Sequence, residues 1–324
     1  MEETLIPPTG IPLLGIPAGG VHGVGLGRAA RNGLRLLQGL VAAWRALGRE
    51  RPAALITTGG YVSAPVAVAA WARRIPILLY LPDIEPGQAV KFVARLAARI
   101  GVTVEESRQY LPAQKVVVTG YPLGARVTRW TRAAGRTALG LPAEAPVLLV
   151  FGGSRGARSL NQAVMGNLAE LLALAEIVHV SGELDWPAVE AARAALPAAQ
   201  QARYHAYPYL HEEMGAALAA ADLVLSRAGA SVLGEFPYFG LPAILVPYPH
   251  AWRYQKVNAD WLAARGAAVV VEDVALATQL VPTVRELFGA PDRRAQMAAA
   301  AHALARPEAA QSLAQLLVQL AQGA

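Results

Sequence analysis

At 324 residues and 34.0 kDa the chain has room for two domains, each with its own core, and 54% hydrophobic against 16% charged residues excludes a disordered chain. The lack of cysteine and the scatter of six histidines without paired spacing exclude disulfides, thiolate sites and a histidine metal cluster, so no metal and no cofactor is expected. Residues 1–130 carry 15 Lys and Arg against 7 Asp and Glu, net +8, and the rest carry 14 against 16, net −2; the first half therefore faces something anionic, and without a nucleic-acid motif a membrane surface is preferred to nucleic acid.

The opening Met-Glu-Glu-Thr is acidic where a signal peptide is basic, and no apolar run reaches the length of a bilayer span, so the chain is expected in the cytoplasm. A helix is expected over 27–48. Its Leu34, Leu37, Val41, Trp44 and Leu47 fall at helical spacing beside Arg28, Arg31, Arg35 and Arg45, which fits either a core-facing stripe with a basic solvated side or a face resting on anionic lipid. Short β-rich runs then alternate with Ala- and Leu-rich helical patterns, the signature of βα units feeding parallel sheets. Strands are expected over 53–57, 77–81, 100–104 and 115–119, with helices over 64–73 and 88–98. Residues 121–146 hold three glycines and three prolines and read as a linker and strap. A second series places strands over 147–151, 176–180, 222–226, 243–247 and 268–271. The fold class is α/β, with two Rossmann-like doubly wound domains facing a cleft. They are expected over 1–127 and 146–324 with a linker over 128–145, the last helix packing back on the first domain.

Three turns in the second half carry chemistry. The first, Val-Leu-Leu-Val-Phe-Gly-Gly-Ser-Arg-Gly-Ala-Arg-Ser-Leu-Asn over 147–161, is a buried strand running through a Gly-rich turn into a helix. Gly152, Gly153 and Gly156 let the backbone approach a phosphate, to which Ser154 and the first helical amides would turn; the same glycines also suit an ordinary tight βα turn. The second, Ser-Arg-Ala-Gly-Ala-Ser-Val-Leu-Gly-Glu over 226–235, places Arg227 and Gly229 at a strand end and Glu235 in the next helix. There a carboxylate can accept both hydroxyls of a ribose or simply favour the helix dipole. In the third, over 241–258, a Pro-rich loop presents His250, Tyr254, Gln255 and Asn258. Gln255 is a sensible sugar reader because its amide both donates and accepts, whereas Asn258 is expected to tie the loop to its own helix.

Taken together these three turns resemble the donor half of the MurG-type transferases of glycosyltransferase family 28, and the resemblance in order, spacing and identity runs from about residue 52 to 273. Members of that family are two-domain GT-B enzymes that form lipid II. The first half adds Thr-Thr-Gly-Gly-Tyr-Val-Ser-Ala-Pro over 57–65, Lys91, and Val-Val-Thr-Gly-Tyr-Pro over 117–122. The resemblance implies an inverting transfer of N-acetylglucosamine from UDP-N-acetylglucosamine to an undecaprenyl-diphosphate-linked acceptor, at the cytoplasmic face of the membrane and as a peripheral protein. It implies that Gly153, Ser154 and Gly156 hold the donor diphosphate and that Leu210 and Met214 meet uracil. Arg227, Gly229, Ala230, Ser231 and Glu235 would line phosphate and ribose, and Gln255 would contact the sugar. On the acceptor side it implies Gly59, Gly60, Tyr61 and Asp83.

The departures matter as much. The family opens with a strand and a Thr-Gly-Gly loop ending in the histidine proposed as base, and the first residues here resemble sequence further in, so that first βα unit is expected to be absent and the first sheet to expose an edge. His22 lies in a Gly-rich loop and is not promoted to base. Where the family has His-Glu-Gln-Asn this chain has Tyr80-Leu81-Pro82-Asp83, which makes Asp83 and nearby Glu85 the candidate bases, with a solvated loop pair as the alternative. Gly124 stands where an arginine is expected, and Tyr254 replaces the first of two glutamines. Two other readings stay open: a non-catalytic UDP-sugar-binding homologue, and a related GT-B enzyme glycosylating another lipid.

Overall fold

Runs of branched aliphatic residues that are apolar on both sides can only be strands of a covered parallel sheet, and that is where they lie. The computed structural model describes residues 6–17, 26–60, 62–153, 156–250 and 253–323, with the backbone alone for 8, 26–31 and 34. The first sheet holds β1 (Leu55–Thr57), β2 (Ile77–Leu81), β3 (Arg99–Val102) and β4 (Val116–Val118), all parallel in the order β1-β2-β3-β4. Its strand order does not reverse among the described strands. The expected doubly wound pattern is thus present here only as helices on both faces.

The second sheet holds β5 (Val147–Phe151), β6 (Glu176–Val180), β7 (Tyr204–Tyr207), β8 (Leu223–Ser226), β9 (Ala243–Leu245) and β10 (Ala268–Val270), parallel in the order β10-β9-β8-β5-β6-β7. The order reverses between β5 and β8, so their carboxyl ends open a crevice, the usual ligand position in such sheets. Alternation along β5 shows the two-sided core: Val147, Leu149 and Phe151 join one apolar cluster, Leu148 and Val150 the other. Strand β7 had no counterpart in the sequence reading. Its Tyr-His-Ala-Tyr lacks branched residues, and at the sheet edge it buries only Tyr204 and Ala206.

Two features join the halves. The C-terminal helix Ala309–Gln322 lays Leu313, Leu316, Leu317 and Leu320 over Leu78 and Tyr80 of β2. Gly101 makes room for it, since a Cβ there would lie 2.9 Å from the Leu313 side chain. The segment read as a linker carries the helix Arg132–Ala138, N-capped by Thr131, which accepts from the Ala134 amide at 3.2 Å. Gly135 lets it lie against the helix Met214–Ala220, because a Cβ would meet the Ala216 carbonyl at 2.4 Å. Arg136 beside it is buried and pairs with Asp222 at 2.9 Å, while Asp222 also accepts from the Val147 amide at 2.9 Å. Buried charge is tolerated there because every partner is supplied. The segment is therefore fastened to the start of the second sheet.

The helix Leu26–Glu50 packs on the helix Ser63–Ala72 and buries Ala43, while Leu47 packs against the core of the first sheet. It turns Leu37, Val41 and Trp44 outward, 62%, 51% and 43% exposed, with Arg35 and Arg45 also exposed. Among the described side chains the expected stripe thus divides between Leu47 facing in and three residues facing out; those of Leu34, Arg28 and Arg31 lie outside the described residues.

Candidate functional site

The Gly-rich turn between β5 and the helix Arg158–Met165 is shaped by contacts that forbid side chains. Gly153 and Gly156 have φ of +89° and +75°, in the left-handed region that glycine enters without penalty. A Cβ on Gly156 would lie 2.1 Å from the Ser181 carbonyl, and one on Gly152 would lie 2.3 Å from the Ala157 Cβ. The turn is thereby pressed against the end of β6, with the Gly156 amide donating to the Gly153 carbonyl at 2.9 Å. Ser154 lies outside the described residues.

Beneath the turn runs a buried polar chain that sequence reasoning missed. Asn161 donates from Nδ2 to the Ser181 carbonyl at 2.9 Å and to Asp185 at 2.8 Å, and its Oδ1 lies 2.9 Å from His179 Nε2. The other ring nitrogen, Nδ1, lies 2.6 Å from the Tyr204 hydroxyl. A neutral ring protonated on Nε2, accepting from Tyr204, satisfies every partner. Burial pushes the His179 pKa down to about 4. Because that lies below the ordinary value of 6.5, the ring's contribution to stability is present above pH 6.5 and lost as pH falls towards 4, about 3 kcal/mol in all. Urea unfolding followed by circular dichroism should show the midpoint dropping over that window. His179→Gln should flatten the drop while lowering stability at pH 7.

Arg227, at the end of β8, is tied down on all sides. Its Nη1 donates to Asp273 at 2.6 Å and to the Val246 carbonyl at 3.1 Å, its Nη2 donates to Ser159 Oγ at 2.6 Å, and Ser159 donates to Asp273 at 2.7 Å. The Tyr248 ring lies 5.3 Å from the guanidinium. Ser159 and Asp273 were not among the expected site residues. Asp273 was findable in principle, as one of two adjacent acids, with Glu272, just beyond β10 on the carboxyl side of the sheet.

A cavity of about 240 Å³ is walled by Phe151, Gly152 and Gly153 from the first turn, Arg227, Gly229 and Ser231 from the second, and Gln255 from the third. Gly152, Arg227 and Gln255 also border a larger space of about 800 Å³ that reaches Arg158, Asp185, Tyr248 and His250. Gln255 is oriented by its Oε1, which accepts from the Tyr248 amide at 2.8 Å. The structure thus brings together Gly153, Gly156, Arg227, Gly229, Ser231 and Gln255. Ala230, Leu210, Met214 and Glu235 are not on the walls of these two spaces. Leu210 is buried at the end of the β7 segment, and Met214, opening the helix Met214–Ala220, packs against the core. Glu235 sits in the helix Val232–Phe239; burial raises its pKa, and a hydrogen bond from Ser231 partly opposes the rise.

Across the cleft, Gly59 and Gly60 follow β1 with φ of +85° and +89°, and the Gly59 amide donates to Thr57 Oγ1 at 3.1 Å. Tyr61 and His22 lie outside the described residues. The loop after β2 carries both candidate bases. Glu85 Oε2 lies 3.1 Å from Arg253 Nε, an ion pair without hydrogen-bond alignment, so Glu85 is not a solvated loop acid. Asp83 accepts from Asn258 Nδ2 at 2.9 Å, and burial raises its pKa against the opposing pull of that bond. Here the expectation for Asn258 is corrected. Instead of tying its loop to its own helix it reaches across to the first domain, because its fully buried amide finds there the partners it needs. Tyr121 faces the same region and is pushed up to about 12 by burial, with Glu235 and Asp83 adding to the rise.

The geometry has counterparts. The Glycosyltransferase family 28 N-terminal domain matches residues 1–102, and the Glycosyltransferase family 28 C-terminal domain matches residues 147–313. A protein of Roseiflexus sp. is 42% identical over 99% of this chain and 81% of its own length. One of Desulforudis audaxviator is 37% identical over 99% of this chain and 88% of its own. Both bear the name UDP-N-acetylglucosamine--N-acetylmuramyl-(pentapeptide) pyrophosphoryl-undecaprenol N-acetylglucosamine transferase. Among solved structures, MurG of Acinetobacter baumannii superposes with a TM-score of 0.72 at 25% identity, over 98% of this chain and 88% of its own. The two open parallel sheets are the GT-B architecture. The UDP-GlcNAc 2-epimerase of Neisseria meningitidis, with a TM-score of 0.63 at 12% identity over 88% of this chain and 81% of its own, shares that fold.

Proposed function

Because this chain belongs to glycosyltransferase family 28, we propose that it transfers N-acetylglucosamine from UDP-N-acetylglucosamine to undecaprenyl-diphosphate-linked muramoyl-pentapeptide, the lipid I to lipid II step of peptidoglycan synthesis. The observation that carries the reading is the convergence of three turns on one cavity at the β5/β8 switch point, in a chain whose relatives bear that transferase name. Residues 146–324 form the donor half and 1–127 the acceptor half, joined through 128–145.

In this reading Gly153, Ser154 and Gly156 present backbone amides to the diphosphate, where charge builds as UDP leaves. Arg227, Gly229, Ala230 and Ser231 line phosphate and ribose, Glu235 takes the ribose hydroxyls, Leu210 and Met214 flank uracil, and Gln255 reads the sugar. Gly59, Gly60, Tyr61 and Asp83 meet the acceptor. A transfer assay with purified chain, labelled UDP-N-acetylglucosamine and lipid I should yield lipid II. No product, together with transfer of galactose to diacylglycerol, would overturn the assignment.

The acceptor is a membrane lipid, and the outward Leu37, Val41 and Trp44, flanked by Arg35 and Arg45, suit a peripheral seat on an anionic bilayer at the cytoplasmic face. No helix among the described residues is long and apolar enough to cross one. Each arginine near the surface contributes about 1 kcal/mol of attraction, and each buried large aliphatic roughly 1.5–3 kcal/mol. Co-sedimentation with phosphatidylglycerol vesicles should therefore fall more than ~10-fold in Leu37→Asp/Val41→Asp. Equal sedimentation of the double variant and the parent would move the seat elsewhere.

A further inference from the structure

Asn258 is fully buried, and both hydrogens of its amide are committed. One Nδ2 hydrogen goes to Asp83 Oδ1 at 2.9 Å and the other to the Ala228 carbonyl at 3.1 Å, while Oδ1 accepts from the Ile84 amide at 3.3 Å. Turning the amide over would set its oxygen against a carboxylate and a carbonyl, so the network fixes its orientation. Asp83 and Ile84 belong to the first domain, whereas Ala228, between Arg227 and Gly229, belongs to the second turn of the donor site. A single side chain thus joins the donor turn to the loop after β2.

The two acids of that loop differ in their partners. Glu85 faces the guanidinium of Arg253. Among the described residues, Asp83 is held by a neutral amide through Oδ1, and no described group bonds Oδ2. The groups around it are Tyr80, Tyr121 and Tyr254, with Glu85 and Arg253 on the same loop contact and Glu235 beyond Tyr121. No cation among the described residues is paired with it.

We propose that Asp83 takes the proton of the acceptor hydroxyl and that Asn258 is the positioning residue that aims it, so that the base is assembled only when the two domains meet. The proposal rests on the transferase reading above. The acceptor oxygen bonds to the anomeric carbon as the bond from that carbon to the diphosphate oxygen breaks; UDP leaves with the electron pair, and the hydroxyl proton passes to Asp83 Oδ2. A charge-neutral hydrogen bond keeps the carboxylate oriented without cancelling its charge, which suits a proton acceptor.

The test uses the full chain and compares Asp83→Asn, Asn258→Ala and Asn258→Ser. In Asp83→Asn, kcat should fall at least ~100-fold with UDP affinity unchanged. In both Asn258 variants kcat should fall ~10-fold or more. The acidic limb of kcat/KM should move to higher pH, because the lost bond was the one holding the Asp83 pKa down. A merely structural Asn258 would lower the melting temperature and leave that limb in place, which would overturn the proposal, as would full activity in Asp83→Asn. Parent protein that binds UDP yet transfers nothing to lipid I would sink the transferase reading instead. The Asn258 arm then reads from the ¹³C NMR titration of the Asp83 carboxyl in the UDP complex, where an unshifted midpoint in Asn258→Ser would refute the positioning role.

Discussion

Replacing Gly156 with alanine is expected to weaken UDP binding by roughly 100-fold and to destabilise the second domain by about 3 kcal/mol. Two effects add. The residue sits at φ +75°, where an L side chain costs about 1–2 kcal/mol. The new methyl would also lie 2.1 Å from the Ser181 carbonyl, a backbone atom on a buried strand end that cannot move aside cheaply. The turn must lift from β6, and the amides proposed to face the diphosphate lose their aim. Gly153→Ala separates the two effects, since that position shares the left-handed φ but its would-be Cβ meets no atom of the described residues within 4 Å. Calorimetry with UDP and thermal unfolding should rank the variants in that order. Equal behaviour of the two would mean that the contact with Ser181 does not shape the site.

Glu235→Ala should weaken UDP binding by roughly 10- to 150-fold, the loss of charged hydrogen bonds worth about 1.5–3 kcal/mol. The parent should discriminate against 2′-deoxy-UDP and the variant should not; unchanged UDP affinity would remove Glu235 from the ribose. The same residue predicts an opposite effect on stability. Burial raises the Glu235 pKa in the folded protein, so its favourable contribution is present below the ordinary carboxylate range and is lost as pH rises through the raised value. Glu235→Gln removes a carboxylate that is costly to keep ionised at neutral pH, and the variant should therefore melt higher at pH 7 than the parent while binding UDP less well. An acid that weakens the fold where it ionises is one whose place is explained by a ligand rather than by packing.

Those parts of the architecture written in local composition were legible. The runs Ile-Leu-Leu-Tyr-Leu and Val-Leu-Leu-Val-Phe announce buried parallel strands, and the glycines after β5 announce a close backbone approach. Strand β7 was not legible, because Tyr-His-Ala-Tyr owes its extended form to pairing with β6 and not to its own propensity. The convergence of Gly153, Arg227 and Gln255 could be anticipated from three turn motifs. What escaped were pairings between residues far apart in the chain: Arg227 with Asp273, His179 with Tyr204, and Asn258 with Asp83. A buried polar side chain chooses its partner in three dimensions, and the sequence around Asn258 suggested only a nearby one.

The helix that returns over β2 sets how the molecule can breathe. The chain passes between the halves twice, after β4 and again before Ala309, and the two passages touch: a Cβ on Gly120 would lie 2.7 Å from the Arg306 Cβ and 3.0 Å from that of Ala309. Two adjacent crossings behave as one short pivot. Any rotation of one half against the other about it would have to part Asn258 from Asp83, together with the ion pairs of Arg253 with Glu85 and Arg265 with Glu106.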